Sequence, residues 1–149
     1  MSLPMCERCN YQKILEKVGI KPTKHRLAVL QVLGTAAHPL TAQDVFDALQ
    51  ACRTINRVTV YRILESLVEG GVVDKISTGD RSFRYGLAPN ENHPQHAHFY
   101  CRLCGLMACL PPESLPLPSR SPSSVMPGIV EKYEIRLDGV CHQCRLRHS

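Results

Sequence analysis

Apolar residues recur at helical spacing through the first half of the chain and give way to strand-like runs in the second. Residues 11–18 form a short amphipathic segment that stops at Gly19. Pro22 and Thr23 open a stronger one, with Leu27, Leu30, Val32 and Leu33 as its apolar stripe, and His38-Pro39 breaks it. Thr41-Ala42-Gln43-Asp44 has the pattern of a capping box, in which a hydroxyl and a carboxylate three residues apart satisfy each other's backbone N–H, with Val45 and Leu49 behind it. A further helix is expected from about 58 to 69, burying Val60, Ile63, Leu64, Leu67 and Val68 and ending at Gly70-Gly71. Two β-prone runs, 72–77 and 82–87, joined by Thr78-Gly79-Asp80-Arg81, predict a hairpin.

Helices followed by a hairpin, the last helix beginning with polar and basic residues, predict a winged helix-turn-helix, whose last helix enters the major groove of DNA. The rival is a small α+β domain with no DNA role. Residues 88–94, Ala-Pro-Asn-Glu-Asn-His-Pro, are the expected linker, dividing the chain into 1–88 and 89–149. The second part reads as strands at 98–101, 106–110 and 133–140. Between them, residues 111–127 hold six of the chain's eleven prolines, which makes that stretch a stiff loop and excludes a helix. The fold class is therefore α+β: a winged helix-turn-helix domain and a small C-terminal α/β domain.

Charge changes this picture slightly. Of the net +5, residues 1–88 carry +4, which suits a polyanionic partner without proving one. With no apolar leader and no run of about 18 apolar residues, the chain is expected to be cytoplasmic, with no membrane partner. In a reducing compartment, eight cysteines call for metal, redox chemistry or buried thiols. Six of them form the CxxC pairs Cys6/Cys9, Cys101/Cys104 and Cys141/Cys144.

Two CxxC turns can close a tetrahedral S₄ shell around Zn²⁺, and Cys101, Cys104, Cys141 and Cys144 supply both. The 36 residues between the two pairs exceed the spacing of a zinc ribbon, so the site must join distant segments. Such a metal would stabilise a domain too small to bury much core. A redox CxxC would need a βαβ context that is missing. A second candidate group is His93, His96 and His98 with Cys109: His96 and His98 face one side of an extended segment, and Cys109 lies on the adjoining strand. Imidazoles with a thiolate suit a borderline-soft ion; the alternative is a solvated His-rich linker beside a buried Cys109. Cys6/Cys9 has no evident second pair and is open to metal binding across a dimer, a capping role or free thiols. Cys52 is expected to be a small buried hydrophobe.

Four segments together resemble the ferric uptake regulator family: Gly19-Ile-Lys-Pro-Thr-Lys-His-Arg26, His38-Pro-Leu-Thr-Ala-Gln-Asp44, Arg57-Val-Thr-Val-Tyr-Arg62 and His96-Ala-His-Phe-Tyr-Cys-Arg-Leu-Cys-Gly105. The resemblance covers most of the chain. It implies a homodimeric repressor that binds palindromic operator DNA in its metal-loaded form, with the C-terminal domain as the dimerisation domain. It further implies structural zinc on Cys101, Cys104, Cys141 and Cys144, and a regulatory divalent metal on His96 and His98, with Asp74 where zinc-sensing relatives often place a ligand. Lys21, Arg57, Thr59, Tyr61 and Arg62 fall where relatives meet DNA; Arg57 and Arg62 otherwise read as a solvated helix face.

The departures carry information. Cys109 stands where iron-sensing members commonly have a glutamate, and Tyr85, a poor ligand, stands at the end of the wing where many have a glutamate or cysteine. The fourth regulatory ligand is then left to Asp74 or His93. A thiolate in place of a carboxylate softens the site and favours zinc over ferrous iron. The expected function is metal-dependent repression of zinc- or iron-uptake genes. The alternatives are a peroxide- or iron-sensing member of the family, or a static zinc-stapled DNA binder. No catalytic motif is present, so neither an enzyme nor a small-molecule substrate is expected.

Overall fold

The computed structural model describes residues 10–79, 81–90, 95–115, 126–131 and 133–148. Among the described residues the chain divides into two units, the first ending at Gln95 and the second beginning at His96. The division falls later than residue 88. Ala88 is buried and donates its N–H to the Val72 carbonyl at 3.0 Å, so it belongs to the N-terminal unit, not to a linker.

Four helices open the N-terminal unit: α1 Tyr11–Lys17, α2 Lys24–Thr35, α3 Ala42–Gln50 and α4 Arg57–Glu69. Each begins at a side-chain cap. Asn10, Thr23, Thr41 and Asn56 accept N–H groups that would otherwise lack partners, from Lys13, Arg26, Asp44 and Thr59. The capping box expected at α3 is complete: Asp44 N–H donates to Thr41 at 3.0 Å, and Thr41 N–H donates to the Asp44 carboxylate at 3.1 Å. Asn56 moves the start of α4 to Arg57, one residue before the sequence expectation. The helix ends at Gly70, and Gly71 follows at φ 75°, a left-handed conformation that turns the chain into the hairpin.

That hairpin pairs β1 Val73–Ser77 with β2 Phe83–Leu87, antiparallel, with Lys75 opposite Tyr85. Leu40 and Tyr85 exchange both backbone hydrogen bonds, at 2.9 and 2.7 Å, which adds an isolated bridge beside the hairpin. One apolar core unites the unit, with Leu15, Leu30, Leu33, Val45, Leu49, Val60, Leu64, Leu67, Val73 and Leu87 among its buried members. In α4 the buried residues Val60, Leu64 and Leu67 follow an i, i+4, i+7 stripe, so Val58, Tyr61, Arg62 and Glu65 occupy the opposite, exposed side. Cys52 is exposed, contrary to expectation. It follows the end of α3 in a turn closed by its own N–H onto Leu49, and that turn carries it away from the core Leu49 enters.

The C-terminal unit holds a three-stranded sheet in the order β4-β3-β5, formed by Met107–Cys109, His98–Cys101 and Arg136–Gly139. β3 and β4 are antiparallel, while β3 and β5 are parallel, which requires a long crossover between 110 and 135. Pro112–Ser114 forms a single 3₁₀ turn at its start. β5 is shorter than the 133–140 run expected. A helix the sequence reading missed, α5 His142–Arg147, follows with Cys141 as its N-cap residue.

Thr41→Ala removes one half of the capping box. The substitution is expected to cost about 1 kcal/mol, lowering the melting midpoint of the N-terminal unit by roughly 4–8 °C. A thermal melt followed by circular dichroism checks it.

Candidate metal centres and nucleic-acid interface

The hairpin turn after β3 carries Cys101 and Cys104. Cys101 ends β3, and its carbonyl accepts the Gly105 N–H at 2.9 Å; Gly105 closes the turn at φ 79°, where a side chain would be strained. Cys141 and Cys144 enter from the other end of the chain, at the cap and first turn of α5. The parallel register brings the two pairs together, since Cys101 lies opposite Gly139 and Arg102 N–H donates to the Gly139 carbonyl at 2.9 Å.

All four sulfurs lie within 4.8 Å of one another. Cys104 Sγ and Cys141 Sγ are 3.8 Å apart. A regular tetrahedron with Zn–S bonds of about 2.3 Å has edges of about 3.8 Å, so the group fits a thiolate-bound ion of that size. Cys101 and Cys144 are buried, whereas Cys104 is exposed and Cys141 half-buried.

The electrostatics suit an ion as well. Backbone N–H donation, first from Cys141 at 3.4 Å and then from Cys104, lowers the Cys101 thiol to about 6. Burial, reinforced by the neighbouring sulfurs, raises Cys144 to about 12. Packed sulfurs without a cation thus favour the Cys101 thiolate at the expense of Cys144. A dication would stabilise all four as thiolates and release the remaining protons.

The second group forms at the other end of β3. His98 is the cross-strand partner of Cys109, and His96 lies two residues before it on the same side of the chain. The ligand atoms of His96, His98 and Cys109 lie within 4.8 Å of one another, with the imidazoles edge to face at 4.6 Å between centroids. Both histidines are buried and Cys109 half-buried. Burial pushes the Cys109 thiol up to about 11, so an incoming cation would displace its proton. Two imidazoles and one sulfur fit a borderline-soft divalent ion, with a position left for a fourth donor.

Of the other regulatory candidates, Asp74 stands on β1 in the N-terminal unit, paired with Gly86, and His93 lies outside the described residues, as do Cys6 and Cys9. Tyr85 is buried, and its hydroxyl donates to Glu65 at 3.2 Å.

The residues expected at DNA lie on exposed ground. Arg57, Tyr61 and Arg62 are exposed on α4, and Thr59 is half-buried, its backbone N–H held by Asn56. The Arg57 guanidinium lies over the Phe46 ring of α3 at 5.3 Å, a contact that fixes the start of α4 against the preceding helix. Lys21 is exposed just ahead of α2, where its carbonyl accepts Arg26 Nη1 at 2.9 Å. Val58 was missed as a candidate. It is 58 % exposed, and with Tyr61 at 42 % it gives the outer side of α4 an apolar strip between two arginines. The signal was present in the stripe of buried positions, which fixes Val58 and Tyr61 on the opposite face.

A winged helix-turn-helix unit followed by a cysteine-rich, metal-binding unit defines a metal-responsive transcriptional regulator. The chain belongs to the ferric uptake regulator family, whose model matches residues 17–113. It is 30 % identical over 135 residues to the ferric uptake regulation protein of Bacillus subtilis, covering 89 % of this chain and 91 % of that one. To the peroxide operon regulator of the same organism it is 29 % identical over 137 residues, covering 91 % of each. It shares its fold with a zinc uptake regulator complexed with zinc and DNA, at a TM-score of 0.58 and 23 % identity, covering 92 % of this chain and 91 % of that one. The family is one of regulators, not enzymes. Among the described residues no helix is long and apolar enough to cross a membrane.

Cys104→Ser opens the four-sulfur shell. Structural zinc sites contribute on the order of 10 kcal/mol of apparent binding energy, comparable to a small domain's whole stability. The variant is expected to lose one zinc per chain and the cooperative melting of the C-terminal unit, measured by elemental analysis and calorimetry. Full zinc content with an unchanged melt would rule out the structural role.

Proposed function

We propose that this protein is a homodimeric repressor of metal-uptake genes, binding palindromic operator DNA when a divalent metal occupies His96, His98 and Cys109. Zn²⁺ on Cys101, Cys104, Cys141 and Cys144 is structural in this reading. The second ion is the signal, and zinc is favoured over ferrous iron. The observation that carries the proposal is the convergence of two buried imidazoles and the Cys109 sulfur within 4.8 Å. A sulfur donor there favours a softer ion than an all-oxygen-and-nitrogen shell would, and disfavours the hard-ligand iron site that peroxide sensing requires.

Support for the DNA partner comes from the outer side of α4. An aromatic edge packs well on a thymine methyl, and an arginine serves phosphate or guanine. The zinc uptake regulator that shares this fold is itself bound to DNA. A homodimer is supported by the C-terminal unit, where β5 is an edge strand of its sheet. Leu103, Leu106, Leu137 and Leu146 are 40 to 79 % exposed there, apolar side chains that a second copy would cover.

Operator affinity measured for the apo, Zn²⁺-, Fe²⁺- and Mn²⁺-loaded protein tests the metal assignment. Zinc is expected to give the tightest complex. Cys109→Ser and His98→Ala are expected to keep the structural zinc and the dimer while losing metal-dependent binding. If Cys109→Ser answers zinc like the parent, Cys109 is no ligand. Asp74→Ala and His93→Ala, compared side by side, tell which supplies the fourth donor.

At the DNA, Tyr61→Ala is expected to cost about 1–3 kcal/mol, mainly as lost sequence preference. Arg62→Ala is expected to lower affinity and flatten its salt dependence. Operator binding unchanged in both, at matched salt and metal, would place another element in the groove.

A further inference from the structure

Three side chains outside the groups described above meet at one carboxylate oxygen. Glu65 Oε1 accepts from Lys75 Nζ at 2.9 Å and from the Tyr85 hydroxyl at 3.2 Å. Lys75 lies on β1 and Tyr85 on β2, directly opposite in the hairpin register, so their side chains emerge on the same face toward α4. Glu65 follows Tyr61 by one helical turn, which places both on the outer side of α4. Lys75 is also held from its other side, with Nζ 4.3 Å from the centre of the Phe83 ring on β2. Tyr85 is the most constrained member, since its backbone is paired with both Lys75 and Leu40.

The charges agree with this arrangement. Hydrogen bonding to Lys75 lowers the Glu65 carboxyl, which keeps it an acceptor at neutral pH. Burial first, then the Glu65 charge, raises the Tyr85 phenol to about 12, which keeps it a donor. Glu65 and Lys75 remain 48 % and 29 % exposed, and ion pairs this wet add little to global stability. What the group supplies is position, since one oxygen fixes both strands of the wing relative to α4.

We infer that Glu65, Lys75 and Tyr85 are positioning residues for operator recognition, fixing the wing hairpin against the DNA-reading helix at the turn beside Tyr61. The inference rests on the DNA-binding function proposed above and adds how the reading surface is set: the wing-to-helix spacing is held by contacts within the N-terminal unit, with the Leu40 bridge steadying Tyr85. Contacts from α4 and contacts from the wing must then reach the duplex in one register. Loosening the hairpin should blunt operator binding more than non-specific binding, which depends on total charge.

The test uses full-length protein with both metals loaded. Glu65→Gln and Tyr85→Phe keep the shapes of their parents and are expected to melt within a few degrees of the wild type. Each is expected to lower operator affinity roughly three- to fivefold, the range an exposed pair's coupling of up to about 1 kcal/mol allows, and to reduce the ratio of operator to random-sequence affinity. Lys75→Glu and Glu65→Lys should each lose more of the operator-to-random ratio than these, whatever their changed charge does to total affinity. The exchange Glu65→Lys/Lys75→Glu should recover part of the discrimination, because the ion pair is restored and the tyrosine hydroxyl can accept from an ammonium as well as donate to a carboxylate. If Glu65→Gln and Tyr85→Phe discriminate like the parent, or if the exchange recovers nothing, the positioning role is wrong while the DNA-binding function stands. If the parent itself shows no operator binding with any metal, the underlying function fails first.

Discussion

Four sulfurs within 4.8 Å of one another join segments 36 residues apart, and the C-terminal unit has few other means of holding those segments together. Among the described residues, its buried side chains are Ala97, Met107, the two histidines, Cys101 and Cys144. Such a core is too thin to offset the chain entropy of a parallel strand pair closed over a long crossover. An ion on the four sulfurs would change that balance by holding β3 and the β5–α5 end together. The same β3 carries His98 at its other end, opposite Cys109 of β4.

The N-terminal unit is built on the opposite principle. It has a continuous apolar core, four side-chain helix caps and a short hairpin, and it needs no ion to explain its cohesion. Its outer surface carries the chemistry: arginines flanking Val58 and Tyr61 on α4, and a wing tied to that helix through one carboxylate. Division of labour follows from the composition of the two units. One is held by apolar burial, and the other gathers thiols and imidazoles, of which Cys101, Cys144, His96 and His98 are buried.

In the proposed regulatory site, sulfur at position 109 would bias selectivity toward softer ions. Cys109 sits opposite His98 in the antiparallel ladder, with its thiol raised by burial, and a cation bound there would displace the proton. A carboxylate in that position would be ionised already and would prefer harder ions. Tyr85 presents a related change, because its phenol is directed into the hydrogen-bonded group around Glu65.

The four helices of the N-terminal unit, the capping box, the hairpin and the four-cysteine group were legible in the sequence, because each rests on local periodicity, local hydrogen bonding or a spacing that suits a metal. The pairing of His98 with Cys109 was within reach for the same reason, as strand alternation and a short turn leave few registers. Other features needed the tertiary structure. Arg57 as the first residue of α4 depends on the Asn56 cap, and Cys52 is exposed because a turn after α3 rotates it outward. The parallel placement of β5 depends on a crossover that no local pattern encodes, and α5, capped by Cys141, follows it. Glu65, Lys75 and Tyr85 are separated by ten residues each, and each looks like an ordinary surface or strand residue alone. Local energetics determine which elements form. Only packing of the hairpin against α4 decides which side chains from different elements share one oxygen.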